Sequence, residues 1–123
     1  MTLEKRTEAI DKLFAGCRGI LDAKGKDYSG KEDALANFKK GAESLGMTKY
    51  QILAVYLSKH LASIMNAIKT SPSYPQVESE PMEGRIQDAI NYLAILHAMM
   101  EEDRENLVIA ERDLSPVGDT SDI

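Results

Sequence analysis

The stretch Glu80 to Tyr92, EPMEGRIQDAINY, sets Glu80, Glu83, Arg85, Asp88, Asn91 and Tyr92 within one short segment. Acids at such spacing are what a divalent ion on nucleotide phosphates uses, ordinarily drawn from two helices or loops. On a helix, Glu80 and Glu83 share a face, whereas Asp88 lies about 140° from Glu83. Glu80, Glu83 and Asp88 are thus the candidate metal ligands, but they form a poor cluster. The two glutamates equally suit a plain helix start beside Pro81, where negative charge is favourable. Asp88 is different, because it falls among Tyr92, Ile95 and Met99. An unpaired carboxylate is disfavoured there. It needs Lys59, Arg85, a backbone loop or a bound ligand as its partner.

A second constellation is KGKDYSG, Lys24 to Gly30. Its glycines free the backbone to present amides, Lys24 and Lys26 offer charge for phosphate, Asp27 an acceptor and Tyr28 a ring for a base or sugar. The same composition also makes an ordinary connection between helices. Lys31, Lys39 and Lys40 extend the basic region, which either attracts phosphate or forms a solvated face. His60 and His97 lie at the edge of one apolar stripe and inside another, and read as core histidines. Cys17 reads as a core thiol. The chain has no P-loop, no GxGxxG, no nucleophile elbow and no Cys/His metal spacing, which sets aside Rossmann and kinase-type chemistry. Nor does it carry a zinc-finger, homeodomain or RNP-type motif, so nucleic acid is not the expected partner.

These groups must be positioned by helices. Residues 2 to 24 read as a first helix with Thr2 as N-cap, weakened by Gly16 and Gly19. KGKDYSGKED reads as a loop, and a shorter helix from Asp33 ends at Gly46, a C-cap. The segment from Met47 to Lys69 is the clearest helix, with Thr48 and Gln51 spaced as a capping box. Its stripe Leu53, Leu57, Leu61, Ile64 and Ile68 predicts core. The opposite side, with Tyr56, Lys59 and Ser63 among Ile52, Val55 and Asn66, predicts a pocket wall or an interface.

TSPSYPQVESEP holds three of the four prolines and reads as a loop. The last long helix is expected over about 79–105, with a principal stripe of Ile86, Ala89, Ile90, Leu93, Leu96 and His97 and a second, mixed face of Gly84, Asp88, Asn91, Tyr92, Ile95 and Met99. A helix apolar nearly all round must be buried nearly all round. A homodimer, or a higher homo-oligomer, sharing this helix at its centre achieves that. The expected architecture is all-α, a four-helix bundle-like domain over 1–105 that dimerises through the last helix, with a frayed acidic tail over 106–123.

The bulk numbers agree with one small globular domain: 123 residues, 43% hydrophobic and 28% charged. Net charge is −5, but 101–123 alone carries −6 and the body +1. One cysteine allows no internal disulfide, and no basic, apolar, small-residue leader opens the chain. A cytoplasmic setting follows. No stretch approaches the roughly 20 apolar residues of a membrane span.

KGKDYSG, Lys59 on a middle helix and EPMEGRIQDAINYLAIL together resemble the nucleotide-modification-associated domain family, small all-α proteins of phage and bacterial genomes. The resemblance spans about residues 15–96. It carries over Lys24, Asp27 and Tyr28 from the first segment, Lys59 from the middle, and Glu80, Asp88, Asn91 and Tyr92 from the last. The chain departs at Gly84, where the family pattern has an acid one turn before Asp88. The layout is also similar to that of the MazG-type all-α nucleoside triphosphate pyrophosphohydrolases, which hold magnesium with four acids from two helices.

The resemblance implies a phage-type, nucleotide-binding protein. Loss of one acid ranks binding above hydrolysis. The expected ligand is a phosphorylated nucleotide, including the cyclic or ADP-ribose-derived signals of antiviral defence, so that sequestration would be anti-defence. Lys24, Lys26, Lys59 and Arg85 would meet phosphate, Tyr28 or Tyr92 the base, and Asp27, Tyr56, Ser63, Asp88 and Asn91 the remainder. The alternative is a magnesium-dependent pyrophosphohydrolase or modified-nucleotide enzyme with Glu80, Glu83, Asp88 and Asp27 on the metal. A third reading is an interaction dimer in which the polar set is a buried network fixing helix register.

Overall fold

The computed structural model describes residues 1–29 and 32–114. Gly30, Lys31 and the acidic tail beyond Leu114 lie outside the described residues. Within them the chain is all-helical: α1 Leu3–Tyr28, α2 Ala36–Leu45, α3 Lys49–Thr70 and α4 Met82–Leu114. None of these helices is long and apolar enough to cross a membrane.

The local start and stop signals act as expected. Thr2 accepts a hydrogen bond from the Lys5 amide at 3.1 Å. Thr48 and Gln51 form the reciprocal capping box, at 3.1 and 2.8 Å. Gly46 ends α2 at φ 64, a left-handed conformation that a side chain resists.

Two helices outrun the expectation. α1 continues through Lys24, Gly25 and Lys26 to Tyr28, so this half of the expected loop is the last turn of a helix. A tertiary clamp explains it: the Ser29 hydroxyl donates to Asn37 Oδ1 at 2.6 Å and accepts from the Asn37 amide at 3.2 Å. The end of α1 is thereby fixed to the start of α2, which offsets the roughly 1 kcal/mol that a helical glycine costs. α4 starts at Met82, and it runs through 106–114, nine residues past its expected end. Once its first part is anchored, each added residue gains one hydrogen bond without a new nucleation cost.

The core joins α2, α3 and α4: Leu35, Phe38, Ala42, Ile52, Leu53 and Met99, with Tyr92, Ile95 and Leu96 packed on it. Leu53 and Met99 are the most completely buried large side chains, at 2% and 0% exposure. α4 therefore packs its mixed face into the intrachain core together with Leu96 and the buried Ala89 of its principal stripe, whereas Leu93 and His97 are exposed. On α3 the stripe is covered unevenly, with Ile64 half-buried. Leu53 is buried and Leu57 half-buried, whereas Leu61 and Ile68 are exposed.

Charge ties the far end of this core together. Lys39 bridges Asp33 at 2.9 Å and Glu102 at 3.0 Å, and Lys49 reaches Asp103 at 2.5 Å. Tyr50 donates to the same Asp103 carboxylate at 2.5 Å. Lys39 is thus held by acids of its own chain and does not stand free in the basic region.

Candidate functional site

α1 lies against α4 at Gly16 and Cys17. A Cβ on Gly16 would fall 2.5 Å from Gln87 Nε2, so the glycine leaves room for the Gln87 side-chain amide. Beside it, the buried Asn91 donates through Nδ2 to the Cys17 carbonyl at 3.0 Å. The Cys17 thiol points at the Gln87 carbonyl at 3.9 Å, and burial pushes its pKa up. Past this clamp, the second half of α1 borders a cavity.

The cavity holds about 640 Å³ between the end of α1, the start of α2 and the middle of α4, a volume ordinary for small-molecule sites. Ile20, Leu21, Leu35, Phe38 and Ile95 give it apolar walls. Its polar groups include Lys24, Lys26, Tyr28, Asp88, Asn91 and Tyr92. The two constellations singled out in the sequence, some sixty residues apart, thus share one wall-to-wall space.

Asp88 sits at the junction. Its carboxylate lies 3.6 Å from Lys24 Nζ and 3.9 Å from His60 Nδ1, both beyond hydrogen-bond distance. The His60 Nδ1 is itself buried without a hydrogen-bond partner. Tyr92 lies flat on Tyr56 and His60 of α3, with ring centroids 5.9 and 5.3 Å apart, and meets Phe38 edge-on. Burial, and then the Asp88 charge, raises the Tyr92 pKa, so the ring stays a neutral phenol.

Other candidates stand elsewhere. Tyr56 supports Tyr92 from behind, Lys59 is exposed on α3, and Ser63 is half-buried there. None of the three lines the cavity, and neither does the exposed Asp27. Arg85 turns to Glu80, its Nε 2.5 Å from Oε1 in an ion pair without hydrogen-bond alignment, and reaches Ser79 Oγ at 3.5 Å. Glu80 is therefore engaged by arginine. Among the described residues no three His, Cys, Asp or Glu side chains converge as a metal site would require, so Glu80, Glu83 and Asp88 remain apart.

Sequence reasoning missed His60, Asn37 and Phe38 as neighbours of the site. Phe38 carries only an apolar signal. The Asn37 link to Ser29 spans the α1–α2 connection and leaves no periodic trace. His60 lies one step of 100° from Lys59, at the edge of the apolar stripe, and that step decides which of the two faces Asp88.

The first amides of α2, which borders the cavity, are already taken. The Leu35 amide donates to Asp33 Oδ1, Ala36 to the Asp33 carbonyl, Asn37 to Ser29 and Phe38 to the Leu35 carbonyl. That helix start offers no open cradle for phosphate. Anion binding here would rest on Lys24 and Lys26. Comparison with protein-family models, with curated proteins and with solved structures returns no match.

Proposed function

We propose that this cavity binds a phosphorylated nucleotide, without chemistry on it. The observation that carries the reading is the meeting of Lys24, Lys26 and Tyr28 with Asp88, Asn91 and Tyr92 around one apolar space of about 640 Å³. A base has aromatic and aliphatic surface to bury against at Phe38, Tyr92 and Ile95. Phosphate has the two exposed lysines at the rim. Asp88, hydrogen-bonded to neither Lys24 nor His60, is free to accept from a sugar hydroxyl or a base amino group. Sequestration of a nucleotide signal, as in a phage-encoded anti-defence protein, is the role that follows in a bacterial cytoplasm.

The test incubates the protein with a mixed nucleotide pool and magnesium and identifies the bound and the free species by mass spectrometry. Unchanged nucleotide retained by the protein is the expected result, and Asp88→Asn should lose it while keeping helicity. Release of pyrophosphate would replace this reading with the hydrolase. No retention and no turnover would leave the polar set as a register-fixing network. Full retention by Asp88→Asn would mean that the ligand sits elsewhere.

A further inference from the structure

α4 presents three sides. Gln87, Asn91, Ala94 and Ala98 face α1 and the cavity, and Tyr92, Ile95 and Met99 face α2 and α3. The third side, centred on Leu93, His97 and Met100, is open, with Leu93 51% and Met100 57% exposed. α1 repeats the pattern. Cys17 and Leu21 belong to the stripe that faces α4, and the same stripe continues toward the N-terminus through Phe14, Ile10 and Leu3. Those three are 54%, 41% and 69% exposed. The first half of α1 is thus an arm about 20 Å long whose apolar side extends past its own support.

We infer that a second copy of this chain covers both surfaces, in a two-fold dimer with the Leu93 side of α4 at its centre. Surface area carries the argument. The chain exposes 9494 Å², against about 6,600 Å² for a compact protein of its 13.6 kDa mass. Subtracting about 1,750 Å², the most that eleven residues can expose, for those outside the described ones leaves the described residues about 1,600 Å² above a compact chain of their size. A standard interface covers about 800 Å² on each partner, and an obligate one about 1,000 to 2,500 Å². The excess is of that size.

Charge selects the occupant. From Gly84 to Met100 the only charged residues are Arg85 and Asp88, and neither lies on the Leu93 side. Two copies therefore meet there without opposing like charges, as an isologous contact demands. Along the arm, Glu4, Glu8 and Asp11 balance Lys5, Arg6 and Lys12. That neutrality favours protein over an anionic lipid surface, which draws basic faces. The inference stands independently of nucleotide binding.

Sedimentation equilibrium of the full chain tests it, with and without vesicles of equal phosphatidylglycerol and phosphatidylcholine. The expected result is twice the 13.6 kDa chain mass and no vesicle binding. Leu93→Glu and Phe14→Glu, each at an exposed position and checked for unchanged helicity, should raise the dimer dissociation constant at least about 30-fold, as loss of a central anchor does. Tyr74→Ser, in the connection between α3 and α4, should leave it unchanged. A monomer at all concentrations, a larger assembly, a dimer indifferent to either glutamate, or a monomer that binds vesicles through these residues would each overturn the inference.

Discussion

The assignment of faces on α4 is testable by comparing Met99→Ala with Leu93→Ala. Met99 is fully buried at the meeting of α2, α3 and α4. Its truncation removes a transfer contribution and leaves a cavity, together about 2 to 5 kcal/mol. Against a total stability of roughly 5 to 15 kcal/mol, that is a large loss at any protein concentration. Leu93 is 51% exposed within its own chain. Half the burial of a leucine is worth about 1 kcal/mol. Any further loss would come from the proposed contact with a second copy, and this part must depend on concentration, since dimer stability changes by about 2.7 kcal/mol per hundredfold dilution. Urea unfolding followed by circular dichroism, at two concentrations a hundredfold apart, separates the terms. The Met99→Ala difference from wild type should hold constant and the Leu93→Ala difference should shrink on dilution. A Leu93→Ala loss equal to that of Met99→Ala and independent of concentration would refute the reasoning, because the Leu93 side would then be the intrachain core.

Acid should weaken the end of the bundle where charge ties it. Hydrogen bonds from Lys39 to Asp33 and from Lys49 and Tyr50 to Asp103 hold both carboxyls below their ordinary 3.8. Depressed acids contribute stability that is complete above that value and is lost as pH falls through the folded values. Asp103→Asn should therefore flatten the acid limb of a stability-against-pH curve, and an unchanged limb would argue that these surface pairs contribute nothing. The same Asp103 bond pushes the Tyr50 phenol from 10.0 up to about 12, so its contribution is present below pH 10 and is lost as pH rises toward 12. Ultraviolet titration should show a phenolate step near pH 12 that is lost in Tyr50→Phe. Glycine effects should separate by geometry. Gly19→Ala meets nothing within 4 Å and should stabilise α1 by about 0.5–1 kcal/mol. Gly46→Ala, at φ 64, should destabilise by roughly 1–2 kcal/mol. Thermal melts of the two variants should move in opposite directions.

The helices and their caps were legible because their causes are local. Thr2, Thr48 with Gln51, and Gly46 act on amides and carbonyls within a turn of themselves, and spacing alone reveals them. The end of α1 was not legible, since the cause of its extension is Ser29 gripping Asn37 across a connection. Lys24 to Tyr28 therefore read as loop when they are a helical turn. In a helix Lys24 and Tyr28 share a face, as residues four apart do, and this shared face is what brings both to the cavity.

The site was half legible for a related reason. A wheel shows which residues of α4 lie together, and it grouped Asp88, Asn91 and Tyr92, which all line the cavity. It does not say which of two apolar sides the rest of the chain will choose. The choice followed polar partners as much as greasy area: Asp103 finds Lys49 and Tyr50 on α3, Asn91 finds the Cys17 carbonyl, and Tyr92 finds two flat rings. A side dominated by apolar groups, such as that of Leu93 and Met100 around His97, can be covered by an apolar surface of matching shape. A side holding an acid, an amide and a phenol needs partners at fixed angles, and burying those groups unpaired would cost several kcal/mol. Within one chain the demanding side is therefore satisfied first, and the undemanding side stays exposed. If the folding of a single chain were instead driven by area alone, Asn91→Leu would strengthen the contact between α1 and α4. Loss of the Cys17 bond should instead loosen it, seen as faster hydrogen exchange at the amides of the second half of α1.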